Sequence, residues 1–309
     1  MNYTACCALP FDSVIHCDFL NNTLPDKCAT LIIADPPYFE VKGAFDFVWN
    51  SFEDYLKDVE KWAIECKRIL ADNGTLFWYG DRKKIAYTQI ILDKYFNLQN
   101  TLCWQKSKAL MVEMFDLRTF PERLFERILM YSSKNERNTF AEYLQKIVNE
   151  YSIKSKDIQI LFPSKTGGLT GCVTNWLKGY NIMTIDQYQL LQKNIPEFKR
   201  TYADLVNEYD FNRRYFKNEY NLTDLLEFTQ GNVDYTLHDT PKPEKLTRAL
   251  ILTCSRKNDI VIVPFAGSGT EVAMSIKEGR KAIGYDIENK YVEMSNKRIK
   301  TFKDAPSLF

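Results

Sequence analysis

Over the first third of the chain, and again over roughly its last seventy residues, short apolar runs that read as strands alternate with segments whose apolar residues recur at helical spacing. That alternation is the pattern of a parallel sheet covered by helices on both faces, so the expected class is α/β. Ala29–Ala34 reads as a buried strand. Tyr55, Leu56, Val59, Trp62, Ala63, Cys66, Ile69 and Leu70 then share one helical face, with Asp72-Asn73-Gly74 expected to end that helix ahead of a strand Thr75–Tyr79. A second helix is expected around Lys83–Tyr95, and strands near Leu98–Trp104 and Ile128–Tyr131. The theme returns as helix Glu244–Cys254, strand Asp259–Val263, helix Glu271–Glu278, strand Lys281–Tyr285 and helix Lys290–Phe302.

Between these halves the alternation stops, which divides the chain into 1–132, an inserted helical domain 133–235, and 236–309. Phe140, Tyr143, Leu144, Ile147, Val148 and Tyr151 make one apolar face of a helix. Two short helices are expected on either side of the turn Thr166-Gly167-Gly168, and Thr184 with Gln187 forms a capping box at the start of another. Phe198, Tyr202, Leu205, Val206 and Tyr209 mark a longer helix that ends in the basic, aromatic run Arg213-Arg214-Tyr215-Phe216.

Composition narrows the function. With 309 residues, 45% hydrophobic, there is apolar material for about two domains. The 41 basic and 40 acidic side chains leave a formal charge of +1, so contact with nucleic acid needs a local patch, and a histone-like tail protein is excluded. The apolar runs fall far short of the ~20 residues of a bilayer span and the first residues lack a signal-peptide pattern, so a soluble, intracellular protein with no membrane partner is expected. Eight cysteines without a CxxC pair, and two histidines, His16 and His238, supply no metal-ligand spacing. The cysteines are expected to be reduced, and the chemistry to need neither metal nor imidazole.

Two segments carry that chemistry. Val263-Pro264-Phe265-Ala266-Gly267-Ser268-Gly269-Thr270 lies where a strand ends and a helix begins, and its glycines let backbone approach a ligand at the helix N-terminus. Asp286, seventeen residues after Gly269, ends the next strand, where α/β folds place a carboxylate for ribose hydroxyls, so the pair points to an adenosine-containing ligand. The second segment, Asp35-Pro36-Pro37-Tyr38, directly follows the first strand. Its prolines fix φ and have no N–H, so it offers carbonyl oxygens beside a carboxylate and an aromatic ring. Acceptors without competing donors suit an exocyclic amino group, because two hydrogen bonds taken from NH₂ localise the nitrogen lone pair and make it a nucleophile toward a methyl donor.

With these motifs in hand the chain resembles the S-adenosyl-L-methionine (SAM)-dependent amino methyltransferases of DNA, in the permuted (β) group whose catalytic tetrad precedes the cofactor loop. Asp35-Pro36-Pro37-Tyr38 matches the family's catalytic motif and Phe265-Ala266-Gly267-Ser268-Gly269 its F-x-G-x-G cofactor motif. His238-Asp239-Thr240-Pro241-Lys242-Pro243 looks like the H-P-T-x-K-P segment, and Glu126–Lys134 like the segment after the catalytic half. The chain departs from the family at Val263, where an Asp that contacts the methionine end of SAM is usual, and at Phe125, where many relatives have His.

The resemblance implies a doubly wound, mostly parallel, seven-stranded Rossmann-like sheet with an inserted helical target-recognition domain. It implies SAM as cofactor, with Lys242 on its carboxylate, Phe265, Ala266, Gly267, Ser268, Gly269 and Thr270 around it, Asp286 on its ribose and Asp18 at its adenine end. It also implies double-stranded DNA as partner, a target base flipped onto Tyr38, and a cytoplasmic, nucleoid-associated setting. Members often dimerise and some accompany a restriction endonuclease. Tetrads beginning with Asp point to adenine N6. Cytosine N4, an RNA or protein amide, and a non-catalytic DNA-binding regulator remain as alternatives. The best DNA-facing candidate is Tyr151–Tyr180, where Lys154, Lys156, Lys165 and Lys178 stand against the single acid Asp157, and where two short helices resemble a helix-turn-helix presenting Thr170, Thr174 and Asn175. Arg213 and Arg214 are a second basic site.

Overall fold

The computed structural model describes residues 9–41, 46–110, 123–135, 138–164, 170–228 and 242–304, and only the backbone at 107–110, 123–124 and 302–304. The chain forms two compact units, Met1–Asn135 with Arg214–Phe309, and Glu136–Arg213.

In the larger unit the strands are β1 (Ser13–His16), β2 (Ala29–Ala34), β3 (Leu70–Gly80), β4 (Phe96–Leu110), β5 (Arg123–Ser133), β6 (Leu225–Leu226), β7 (Ile260–Val263) and β8 (Lys281–Asp286). They make one sheet in the order β1-β8-β7-β2-β3-β5-β4-β6, parallel except where β5 pairs with β3 and β4. This is the expected doubly wound class with eight strands in place of seven. The short strands β1 and β6 lie outside the expected pattern, because four and two residues are too few for a period to show. β6 also moves a boundary. Residues 214–228, expected in the insert, belong with the sheet, since Leu225–Leu226 pairs with Cys103 and Trp104, and Trp104 Nε1 donates to the carbonyl of Phe228 at 2.7 Å.

Helix α1 (Phe52–Ile69) has the features its sequence requires. Ser51 caps it by accepting from the amide of Asp54, Glu53 and Asp54 sit at its positive end, Lys67 and Arg68 at its negative end, and Tyr55, Val59, Trp62, Ala63, Cys66 and Ile69 are buried. It stops at Ile69 rather than at Asp72-Asn73-Gly74. Leu70 and Ala71 are themselves buried strand residues, Leu70 pairing with Ala29, and the three polar residues form an irregularity before Thr75 pairs with Leu31.

α2 (Ile85–Leu92) shares the α1 face of the sheet, while α8 (Glu244–Cys254), α9 (Thr270–Lys277) and α10 (Asn289–Asp304) belong to the other. Alternate strand residues divide accordingly. Ile32, Ala34, Leu76 and Trp78 pack with α1, and Leu31, Ile33, Phe77 and Tyr79 pack with α8 and α9. Burial on both faces explains why β2 is a continuous apolar run rather than an alternating one. Each such leucine, isoleucine or phenylalanine side chain contributes about 1.5–3 kcal/mol.

The smaller unit is helical: α3 (Thr139–Glu150), α4 (Ser155–Ile160), α5 (Cys172–Leu177), α6 (Ile185–Asn194) and α7 (Tyr202–Asn212) surround a core that includes Phe140, Leu144, Ile158, Trp176, Tyr188 and Leu205. The capping box of Thr184 and Gln187 is formed at α6. Among the described residues, no helix is long and apolar enough to cross a membrane, and Cys17, Cys28, Cys66, Cys103, Cys172 and Cys254 are free thiols.

Candidate active site at the ends of two adjacent strands

β2 and β7 are hydrogen-bonded neighbours, with Leu31 opposite Val261 and Ile32 opposite Ile262. Both run in the same direction, so the two motifs that follow them, Asp35-Pro36-Pro37-Tyr38 and the glycine turn after Val263, leave the same edge of the sheet side by side. This is the carboxyl-end crevice in which doubly wound sheets bind ligands.

The tetrad is held by its own side chains and by its neighbours. Asp35 Oδ1 accepts from the Tyr38 hydroxyl at 2.7 Å, and the buried carboxylate of Asp46 accepts from the Tyr38 amide at 2.6 Å. Lys84 donates to the carbonyl of Phe39 at 2.6 Å and lies over its ring. The turn therefore cannot swing freely on β2.

A chain of buried charges continues from Asp35. Its Oδ2 lies 2.5 Å from Nζ of Lys242, which is 3.5 Å from Oε2 of Glu126, while Oε1 of Glu126 accepts from Lys106. The four side chains are two cations and two anions, with exposures of 5% for Lys242, 11% for Glu126, 14% for Lys106 and 22% for Asp35. Burial works against the charge of Glu126, and the ammonium groups of Lys242 and Lys106 overcome it, holding the carboxyl below the usual carboxylate range. Burial likewise opposes the charge of Lys242, and Asp35 and Glu126 overcome it, so its ammonium stays charged above the ordinary lysine value. Burial, then the charge of Asp35, raises Tyr38 well above an ordinary phenol, so its hydroxyl remains a donor.

The glycine turn is built for close approach. Gly267 and Gly269 have φ of 47° and 69°, and a Cβ on Gly269 would lie 2.6 Å from Ser295 Oγ. Ser295 donates to the carbonyl of Gly267 at 2.9 Å, and Arg298 donates to Thr270 Oγ1 at 2.9 Å, which fixes the turn to α10. Ser268 and Thr270 share a hydrogen bond of 3.0 Å, Ala266 is buried, and Phe265 packs edge-on against Trp62 at 5.0 Å. At the end of β8, Asp286 accepts from the amides of Gly267 (2.8 Å) and Glu288 (2.9 Å), one on each oxygen. Burial raises its carboxyl above the ordinary value.

In the first turn of α9 stands Glu271, 4% exposed, whose Oε1 has no hydrogen-bond partner. The buried hydroxyl of Tyr79, on β3, has none either. Burial first, and Asp35 second, push the Glu271 carboxyl up to about 7, against Lys242 and Arg298.

The other expected site residues fall into three groups. Lys242 is at the site, but its ammonium lies on Asp35 and Glu126 rather than standing open for a ligand carboxylate. Asp18 is exposed and caps a 3-10 turn, accepting from the amide of Leu20 at 2.9 Å. In the helical unit Lys154, Lys156, Thr174, Asn175 and Lys178 are exposed, whereas Thr170 turns inward, its hydroxyl donating to the carbonyl of Phe162 at 2.9 Å to close the chain onto α5. Lys165 and the Thr166-Gly167-Gly168 turn lie outside the described residues. Arg213 is ion-paired to Asp210 at 2.7 Å, and Arg214 bonds to Gln99 at 3.4 Å, so both are used within the protein.

Lys106, Glu271 and Tyr79 lie at the candidate site although no motif marks them, and Glu126 is marked only as the first residue of the Glu126–Lys134 segment. A usable signal existed for Glu271, since a lone acid between residues destined for the core is a costly choice that points to a partner or a ligand.

Among known proteins, a family model described as DNA methylase matches residues 29–297. The chain is 26% identical over 295 residues to the DNA adenine methyltransferase YhdJ of Escherichia coli K12, covering 93% of this chain and 82% of that protein. It is 25% identical over 304 residues to the Type II methyltransferase M.HinfI of Haemophilus influenzae, covering 92% and 67%. Of solved structures, TTHA0409 from Thermus thermophilus is similar with a TM-score of 0.54 at 19% identity, over 95% of this chain and 96% of that one. The cytosine-N4-specific PvuII DNA methyltransferase is similar with a TM-score of 0.55 at 14% identity, over 94% and 90%. These two likenesses are likenesses of fold.

Proposed function

The chain belongs to the DNA methylase family, and from that membership we propose that it transfers a methyl group from SAM to the N6 amino group of adenine in double-stranded DNA. The observation that carries the reading is the pairing of β2 with β7, which sets the acceptor tetrad beside the glycine turn. The residues present suit SAM. Gly269 leaves a cradle that a Cβ would fill, Asp286 offers carboxylate lone pairs for ribose hydroxyls, and Lys242 has a third N–H beyond its two carboxylate contacts. When bound, SAM supplies an electrophilic methyl group on a sulfonium, which needs no metal activation.

The protein's own part is positioning. Asp35, fixed by Tyr38 on one oxygen and Lys242 on the other, keeps free lone pairs that accept from the target NH₂. With a backbone carbonyl of the proline turn taking the second hydrogen, the nitrogen lone pair is turned out of the ring and toward the methyl group. Each charge-assisted bond of this kind is worth about 1.5–3 kcal/mol, or about 10- to 150-fold in rate if it is made only at the transition state. The ring of Tyr38, its hydroxyl anchored on Asp35, offers a face for the extruded base, whose unstacking costs a few kcal/mol.

Adenine is chosen over cytosine because the tetrad begins with Asp and because YhdJ is named for adenine. The exposed Lys154, Lys156, Thr174, Asn175 and Lys178 are assigned to the DNA. The Type II name of M.HinfI supports a restriction–modification setting with a cognate endonuclease, and a homodimer goes with the same reading. The deciding experiment incubates the protein with SAM and unmethylated duplex DNA, digests the product to nucleosides and identifies the modified base by mass spectrometry. N6-methyldeoxyadenosine is expected. N4-methyldeoxycytidine, or no methylated base, overturns the assignment.

A further inference from the structure

Glu271 is the buried charge that the reaction scheme leaves unused. It stands two residues beyond Gly269, in the first turn of α9, and Oε1 is buried without a hydrogen-bond partner. The charged groups that face it are Asp35 at the end of β2, Lys242 ahead of α8 and Arg298 on α10. Both cations are committed elsewhere, Lys242 to Asp35 and Glu126, and Arg298 to Thr270 and Glu244. The negative charge of Asp35 works against ionisation of Glu271. On β3, Tyr79 has a buried hydroxyl that likewise lacks a partner, and Glu271 is the charge that acts on it most strongly. A buried carboxylate oxygen without a partner, and a buried hydroxyl without one that feels its charge, are unfavourable unless something that donates hydrogen bonds, and carries positive charge, completes them.

SAM carries two cations. The sulfonium has no N–H or O–H to donate, whereas the α-ammonium has three donors. No carboxylate comes from β7 itself, whose last residue is the buried Val263. We infer that Glu271, whose buried Oε1 lacks a partner, is the subsite for the α-ammonium group of the SAM methionine moiety. The inference rests on the SAM reading of the glycine turn. It adds that recognition of the amino-acid end depends on Glu271 being ionised, and that pH therefore controls cofactor affinity.

The test is calorimetric titration of the whole protein with three ligands, SAM, S-adenosylhomocysteine and 5′-methylthioadenosine. The first has ammonium and sulfonium, the second ammonium alone, and the third neither. In Glu271→Gln, SAM and S-adenosylhomocysteine are expected to bind about 10- to 150-fold more weakly, the worth of one charge-assisted hydrogen bond, and methylthioadenosine as it does to the wild type. A loss confined to SAM would place Glu271 on the sulfonium, and an equal loss for all three would make it a support of the turn; either result overturns the inference. The wild type provides a check that does not depend on the variant folding. Its affinity for S-adenosylhomocysteine should fall tenfold per pH unit below about 7, and fall again at alkaline pH where the ligand's amino group discharges. Methylthioadenosine should show no acidic limb, and a flat profile for S-adenosylhomocysteine from pH 5.5 to 7 overturns the inference. A wild type that binds none of the three refutes the SAM reading itself, an outcome distinct from any of these.

Discussion

Replacing Lys242 by Met tests the buried ion chain at its centre. Lys106 and Lys242 balance Asp35 and Glu126, so the four charges sum to zero, and Lys242 is the member shared by both carboxylates. Met fills a similar volume but leaves one buried negative charge uncompensated, which costs about 3–5 kcal/mol. Adding Glu126→Gln restores neutrality among the remaining three, so the double variant should be more stable than the sum of the single losses predicts by about 1–3 kcal/mol. The pH dependence has a definite sign. Glu126 is depressed in the folded state, so the stability it contributes is present above its unfolded value of 4.5 and disappears as pH falls through the lower folded value. Lys242 is raised, so its contribution is present below the unfolded lysine value near 10.4 and is lost only above it. The coupling should therefore be constant from about pH 5.5 to 9. Urea denaturation of wild type, both single variants and the double variant, at several pH values across that range, measures it. Additivity within about 0.5 kcal/mol would show that the chain of contacts carries no shared energy and would refute the argument.

Asp35→Ala should abolish measurable methyl transfer while the protein stays folded and binds SAM; turnover within tenfold of wild type would remove Asp35 from its role. Glu271→Gln should stabilise the ligand-free protein more at pH 8.5 than at pH 5.5. The folded carboxyl at about 7 lies above its unfolded value of 4.5, so the wild type loses stability as pH rises between them, and the roughly 1.5 pH units above 5.5 make the gap grow by about 2 kcal/mol, readable from denaturation midpoints. Gly269→Ala should cost about 1–3 kcal/mol, because φ is 69° and the new methyl meets Ser295 at 2.6 Å; an unchanged melting temperature would contradict that. Removing Lys154, Lys156 and Lys178 together should flatten the salt dependence of log DNA affinity by up to about 2.7 units, at about 0.9 per phosphate contact, with SAM affinity unaltered. An unchanged slope in fluorescence anisotropy would move DNA contact off this face.

Much of the site was legible because its chemistry is local. A tetrad with two prolines carries its own backbone geometry, and a glycine turn at a strand end carries its own left-handed φ, so both are written in consecutive residues. Glu244–Cys254 and Ala29–Ala34 fall at the residues their patterns mark, because a 3.6-residue stripe and a short buried run need no distant partner to be seen. The departures share the opposite cause. β6 is two residues whose only reason to be extended is the edge of β4, Thr170 faces inward because the carbonyl of Phe162 is there to receive it, and α1 ends early because Leu70 finds Ala29.

The residues by themselves determined the α/β class, the helical insert and the two motifs that follow β2 and β7. What tertiary structure alone decided is the electrostatics between them. Lys106, Glu126, Lys242 and Asp35 are scattered over more than a hundred positions, and only the sheet order brings them within ion-pair distance. The same holds for the unpartnered Oε1 of Glu271, since whether a glutamate is solvated, paired or stranded depends on what surrounds it. Its side chain is buried on α9, and burial is a property of the assembled surface rather than of any stretch of chain.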